Sequence, residues 1–193
     1  MSAMPVQRLS GNARETYLAH LLALDREDVR LRFGSPLARE SIAAYVARID
    51  FDTDSLFGVY GDALELCGAA HLAFGAELAE LGISVLPHAR RRGIGGALIA
   101  RAAEYARNRA TSRLYMHCLG ENASMIRLAR RAGMGVVLEA GDADAHVALP
   151  AATPLSHTSE LIAERVALFD YALKSNVEAW RRVGVAIAKA SDE

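Results

Sequence analysis

The run Val85-Leu86-Pro87-His88-Ala89-Arg90-Arg91-Arg92-Gly93-Ile94-Gly95-Gly96-Ala97-Leu98 holds the residues of this chain best placed to do chemistry. A strand ends at Pro87, three arginines and three glycines turn the chain, and a helix begins at Ile94. Such a turn gathers unpaired backbone N–H groups and the positive end of a helix around one cavity, and a cavity of that kind binds phosphate. Glycine keeps side chains from holding an anion off the backbone, and arginines suit a ligand carrying several phosphates. A dinucleotide fingerprint would need a third glycine where Leu98 stands, and a Walker loop would end in Gly-Lys-Ser/Thr, which is absent. The plain alternative is a helix start with solvated arginines.

A second constellation follows at a distance. Leu114-Tyr115-Met116-His117-Cys118-Leu119 reads as a strand, then come Asn122 and a short helix that ends at Arg131-Ala132-Gly133-Met134. Together, Arg90-x-x-Gly93-x-Gly95 after a Val-x-Pro strand end and this strand, asparagine and helix resemble the GNAT acetyltransferase superfamily over about residues 6 to 149. The segment His20 to Phe33 is also similar to the substrate-side helix and loop in GNAT domains of bacterial protein-lysine acetyltransferases.

The resemblance implies an acetyl-CoA-dependent N-acetyltransferase that moves an acyl group directly to a primary amine, either on a small molecule or on a protein lysine, without a metal. It implies a central strand splayed from its neighbour, with the cofactor arm against the backbone of Ile83, Ser84 and Val85 and the pyrophosphate on Arg90, Arg91, Arg92, Gly93, Ile94, Gly95 and Gly96. Asn122 matches the family asparagine that contacts the cofactor arm, a role compatible with capping the next helix. Attack on a thioester needs a neutral amine, and an unperturbed lysine-type amine is almost wholly protonated at neutral pH, so a general base helps. Glu80 stands where many family members carry a catalytic glutamate. Strand alternation puts it on the face of Gly82 and Ser84, and the flanking Leu78, Ala79 and Leu81 lead us to expect a raised carboxylate pKa. A solvent-facing strand residue or a structural ion pair is the other reading of Glu80. His71, Glu77, His117 and Glu121 are lesser candidates for base, relay or amine binding.

One departure matters. Ala129 stands where the family usually has a tyrosine that protonates the departing thiolate, leaving water, Ser124 or Tyr115 for that role. The same departure motivates a rival reading, an acyl-CoA-binding sensor or interaction module without turnover.

The elements that must position these groups follow from periodicity. Apolar residues from Ala13 to Ile49 recur at helical spacing, with a break at Gly34-Ser35-Pro36 that predicts two helices. Leu56 to Tyr60 and Glu65 to Leu72 predict strands about a Gly61-Asp62 hairpin, and Glu80 to Leu86 a third strand. A helix over Ile94 to Arg109, a strand over Leu114 to Leu119, a helix over Ala123 to Arg131 and a hairpin about Gly141-Asp142 complete the unit. Tyr115 and His117 share the cleft face of their strand while Cys118 points to the core. The fold class expected is α+β: a GNAT-like, mixed, mainly antiparallel central sheet flanked by helices, with a C-terminal helical extension. The resemblance implies an acetyltransferase domain over residues 1–150, and the remainder, 151–193, is expected to be a helical extension capped at Ser156 or Thr158. Its stripe Ile162, Val166, Phe169, Leu173, Val177, Trp180, Val183 and Ile187 packs on its own core or forms a homodimer seam.

Composition bounds the partners. At 193 residues with 52% hydrophobic and 23% charged residues, the chain has the composition of one globular domain and not of a disordered or fibrous protein. Lys and Arg (22) nearly cancel Asp and Glu (23), so no global field favours nucleic acid or a membrane surface. Cys67 and Cys118 lie far apart without a metal-finger spacing and read as buried free thiols. With no apolar leader from Met1 to Arg14, a cytoplasmic location is expected.

Overall fold

The computed structural model describes residues 4–76 and 78–191, with side chains as far as Arg181. The candidate Glu77 and the stripe positions Val183 and Ile187 therefore lie outside the described side chains. Seven strands form one sheet in the order β1-β2-β3-β4-β5-β7-β6. They are β1 (Gln7–Leu9), β2 (Ser55–Tyr60), β3 (Leu66–Phe74), β4 (Leu78–Val85), β5 (Arg113–Leu119), β6 (Gly135–Glu139) and β7 (Asp142–Ala148). Among the described residues only the β4–β5 pair is parallel. This is the mixed sheet that the order of elements predicts and the mainly antiparallel one that the resemblance implies, with one addition: the short edge strand β1 pairs with β2.

Helices cover both faces. On one side α4 (Ile94–Arg107) lays Ile94, Leu98, Ile99, Ala102, Tyr105 and Ala106, spaced by threes and fours, on Phe57, Ala79, Leu81, Ile83 and Leu114. On the other, α1 (Arg14–Leu22) and α3 (Arg39–Ala47) bury Tyr17, Leu21, Ile42 and Val46 against Leu56, Leu66 and Ala69. Between them in the chain comes α2 (Arg26–Phe33), which packs against β4 and β5. The first helical stretch is thus two helices before Gly34, because the Asp25 carboxylate accepts the Asp28 N–H at 2.7 Å and starts a new helix there. The helix α5 (Ala123–Arg131) runs as expected.

Both hairpin turns shift from their expected places. Gly61 N–H donates to the Glu65 carbonyl at 2.9 Å and Leu64 takes φ 61°, so the first connection is a five-residue turn following a register slip at Val59/Tyr60. In the second, Glu139 pairs with Asp142, which leaves Ala140 (φ 50°) and Gly141 (φ 96°) as a two-residue turn of the left-handed kind that suits strand twist.

The C-terminal helix α6 spans Pro154–Ser191. Its cap is Thr153, not Ser156 or Thr158: Thr153 Oγ1 accepts the Ser156 N–H at 3.1 Å while Ser156 Oγ accepts the Thr153 N–H at 3.0 Å. Its polar face meets the body. Glu160 accepts from Asn108 (2.6 Å) and Arg109 (3.1 Å), and Glu164 pairs with Arg8 at 3.4 Å. Ile162, Val166, Phe169, Leu173, Val177 and Trp180 are exposed, so the stripe does not pack on the protein's own core. Among the described residues no helix is long and apolar enough to cross a membrane.

Candidate functional site

The sheet opens at its centre. Leu78, Ala79 and Glu80 of β4 pair with Arg113, Leu114 and Tyr115 of β5, and among the described residues the ladder stops there, although β4 continues to Val85 and β5 to Leu119. Unpaired strand edges are hydrogen-bonding surfaces waiting for a partner. Ile83 and Ser84 are both buried, so the backbone is what β4 presents to the gap. Each diverging strand is followed by a helix, α4 after β4 by way of the turn Pro87–Ala89 and the arginine loop, and α5 after β5, so two positive helix ends follow the open strand ends.

The loop after β4 divides its labour among residues that the sequence treats alike. Gly93 takes φ 86° and Arg91 φ 61°; the first intrahelical bond is Ala97 N–H to the Gly93 carbonyl at 3.0 Å, leaving the N–H groups of the first turn for a ligand. Arg91 and Arg92 are exposed beside them. Arg90 is committed elsewhere: Nε donates to the Val85 carbonyl at 3.1 Å and Nη2 lies 2.5 Å from Asp28 Oδ2. The glycines differ too. A Cβ on Gly95 would come within 2.7 Å of the Leu128 side chain of α5, whereas one on Gly96 would meet nothing within 4 Å. Gly95 lets α4 approach the tip of the Leu128 side chain closely, and Gly96 leaves the open approach for an anion.

Asn122 serves as the α5 cap, its Oδ1 accepting from Met125 N–H (3.1 Å) and Ser124 Oγ (3.0 Å). It is buried at the end of the gap. Ala129 lies in the main apolar cluster, so position 129 offers no hydroxyl.

Glu80, Gly82 and Ser84 share the opposite face, as alternation requires. Glu80 is exposed there, since Ala79 and Leu81 turn their side chains into the core on the other side; the expected apolar enclosure of its carboxylate is not formed. Around this face stand His71, a candidate from the sequence, and three groups that the sequence did not point to, Arg32, Tyr45 and Asp54. The Arg32 guanidinium covers Gly82 so closely that a Cβ there would sit 2.2 Å from Nη2. Arg32 Nη2 donates to Tyr45 Oη at 3.3 Å, Tyr45 hydroxyl meets His71 Nδ1 at 2.6 Å, and His71 Nε2 meets Asp54 Oδ2 at 3.1 Å. Burial holds the His71 pKa below the usual histidine value. A neutral ring with its proton on Nε2 toward Asp54 accepts from Tyr45 on Nδ1, giving a continuous chain from carboxylate to guanidinium. A glycine in mid-strand, such as Gly82, was the available signal of a close approach.

On this same face of β4, His20 Nδ1 is 2.6 Å from the Leu66 carbonyl and Nε2 is 2.8 Å from Ser84 Oγ. A carbonyl only accepts, so the ring proton is on Nδ1 and the Ser84 hydroxyl donates to Nε2. The other candidates are engaged: Tyr115 Oη donates to Asp144 Oδ1 at 2.5 Å, which pushes its pKa up to about 12, and His117 Nδ1 lies 2.9 Å from the same oxygen. Glu121 pairs with Arg30 of α2. Cys118 is buried, as expected, and both cysteines are free.

Comparison with known proteins places these features in a family. Residues 20–134 match the model of the acetyltransferase (GNAT) family. Among solved structures, the GNAT domain of S. lividans PAT superposes with a TM-score of 0.65 at 21% identity, covering 75% of this chain and 89% of that one. Spermidine N-acetyltransferase from Vibrio cholerae, in complex with CoA and spermine, gives 0.59 at 19% identity over 75% and 94% of the two chains. A phosphinothricin acetyltransferase from Sinorhizobium meliloti, in complex with AcCoA, gives 0.60 at 18% identity over 76% and 89%. No curated protein matches the sequence significantly.

Proposed function

The chain belongs to the GNAT acetyltransferase family, and from that premise we propose that it is a cytoplasmic N-acetyltransferase that carries an acyl group from acetyl-CoA to a primary amine. The observation that carries this reading is the β4–β5 ladder that ends at Glu80 and Tyr115 with two helix N-termini at the open end. The residues present fit the cofactor: a strand edge at Ile83 to Val85 that β5 leaves unpaired for its amide-bearing arm, and first-turn N–H groups with Arg91, Arg92 and the open Gly96 for its pyrophosphate. Bound there, acetyl-CoA supplies an acyl group already activated as a thioester. Arg90 shapes the loop, and Asn122 orders the end of the gap.

Glu80 takes the amine proton. Its carboxylate is exposed on the face where the strand gap is open, close enough to act electrostatically on both His71 and Tyr115. Backbone N–H groups of β4 polarise the acyl carbonyl, a role that needs no side chain and no metal. Small amines and protein lysines remain the two acceptor classes. The two unpaired thiols suit a reducing compartment.

The buried Ala129 favours one second reading, a module that holds acyl-CoA without turnover. Residues 1–150 are proposed as the acyl-transfer domain and 151–193 as an extension whose exposed stripe joins two copies. The test is calorimetric titration with acetyl-CoA, with NADH and ATP as controls, followed by release of CoA thiol in a panel of amines and lysine peptides. Selective binding with thiol release supports the enzyme; binding without release across the panel supports the module; no binding by folded protein removes both.

A further inference from the structure

Three donors of different chemistry meet at the end of the sheet where β3 begins. Cys67 Sγ lies 3.3 Å from Glu65 Oε1, and His88 Nε2, from the turn Pro87–Ala89, lies 3.9 Å from each of them. We propose that Glu65, Cys67 and His88 form a binding site for a zinc-class divalent cation, with water as the fourth ligand. The acyl-transfer reading uses none of these side chains.

The geometry suits that ion. A point equidistant from the three atoms lies about 2.2 Å from each, within the span of zinc bonds to sulfur, imidazole nitrogen and carboxylate oxygen. One thiol, one imidazole and one carboxylate form a set of borderline softness, which selects zinc and its late transition-metal neighbours over magnesium or calcium. The ligands are also held in place. Glu65 Oε2 accepts the Ala63 N–H at 3.2 Å, which leaves Oε1 turned to the thiol. Gly61 is the floor beneath this carboxylate: a Cβ there would stand 2.1 Å from Oε1, so a glycine keeps the cradle open. Cys67 is buried, while the Glu65 and His88 side chains are 42% and 59% exposed, giving a fixed inner ligand and an open outer side for entry and for water.

The thiol enters the site protonated, its pKa pushed up to about 11 by burial and by the Glu65 carboxylate. Forming the metal–sulfur bond releases that proton to solvent, with no change of oxidation state. The sequence concealed the site because His88 is twenty-one residues from Cys67, and the two meet only when β4 folds back on β3 and the Leu86 N–H bonds the Cys67 carbonyl at 2.8 Å. An ion here would fasten the base of the loop that carries Arg90 to the start of β3.

The experiment is titration of reduced, tag-free full-length protein with Co²⁺, which reports thiolate ligation by a ligand-to-metal absorption band and four-coordination by its visible spectrum. The expected result is one equivalent bound with the thiolate band, displaced by Zn²⁺. The His88→Ala and Glu65→Gln variants should bind at least about tenfold more weakly while keeping the thermal midpoint of the metal-free protein. Cys67→Ser tests the band directly, and because Cys67 is a core residue, the exposed His88 variant carries the test should the serine variant fail to fold. A folded protein that shows no thiolate band at saturating Co²⁺, or a His88→Ala variant of unchanged affinity, overturns the proposal.

Discussion

The Arg90 guanidinium sits 2.5 Å from the Asp28 carboxylate, joining the loop after β4 to α2. Two residues along α2, Arg30 pairs with Glu121 at the end of β5. One helix therefore holds both sides of the gap in the sheet, and the pair at Arg90 acts on the cofactor loop through its shape. Asp28→Ala should leave the thermal midpoint nearly unchanged and weaken acetyl-CoA binding about tenfold, the scale of one charge-assisted contact. Calorimetry checks this, and full affinity in the variant would show that the loop keeps its form unaided.

The two adjacent glycines of α4 give opposite expectations. Gly95→Ala pushes on the tip of Leu128, which lies 2.7 Å from the new Cβ, and because alanine favours the helix by about 1 kcal/mol the net loss of stability should be about 1 kcal/mol or less, with acetyl-CoA binding kept. Gly96→Glu meets open space, so the protein should fold normally and lose acetyl-CoA by charge repulsion and blockage. Thermal melts alongside calorimetry separate the two. A Gly96→Glu protein with normal affinity would remove this helix start from the pyrophosphate site.

Glu80→Gln keeps the shape of the side chain and removes the base. The expected loss in kcat is about 10²–10⁴-fold with acetyl-CoA affinity retained. Unchanged turnover across pH would assign the proton transfer elsewhere, with the chain of Tyr45, His71 and Asp54 the next place to look.

What could be read in advance, and what could not, divides along the range of the interactions. The antiparallel β2–β3 pair, the strand–turn–helix that carries Arg90 to Gly96 and the parity of Glu80 follow from local spacing, and each appears in the structure. The uses of Arg90, Gly95 and Arg32 do not, because each is decided by a partner on another element: Asp28, Leu128 and Gly82. The exposure of Glu80 was misjudged because residues adjacent along a strand face opposite sides, so Ala79 and Leu81 are sequence neighbours without enclosing it. The split of α1 from α2 was visible in Asp25 only to a reader who ranked a cap above continuous apolar periodicity.

His20 makes stability depend on pH. Burial lowers its pKa from 6.5 to about 4, so the unfolded chain takes up the proton first. Its neutral form stabilises the fold above about pH 6.5, and that contribution is lost as pH falls toward 4, amounting to about 3 kcal/mol over the window. His71 shifts in the same direction, so the comparison should be between the protein and a His20→Asn variant in denaturant melts at several pH values. The variant's stability should fall less steeply between pH 6.5 and 4; parallel slopes would place the titration in other groups.

The outward stripe of α6 carries the last expectation. Ile162, Val166, Phe169 and Leu173 step by four, three and four, a heptad phase, and all are exposed, with Phe169 at 66% and Trp180 at 76%. Their helix is fastened to the body by its other side, through Glu160 with Asn108 and Arg109 and through Lys174 Nζ with the Tyr60 carbonyl at 2.8 Å. Apolar exposure on that scale favours association, and a helix already held in place meets a second copy at little further ordering cost. The protein should run as a dimer by light scattering, and Phe169→Glu together with Leu173→Glu should yield a folded monomer that still binds acetyl-CoA. A monomeric parent protein would leave the stripe to a different partner, whereas a dimer that survived both charges would move the seam to another surface.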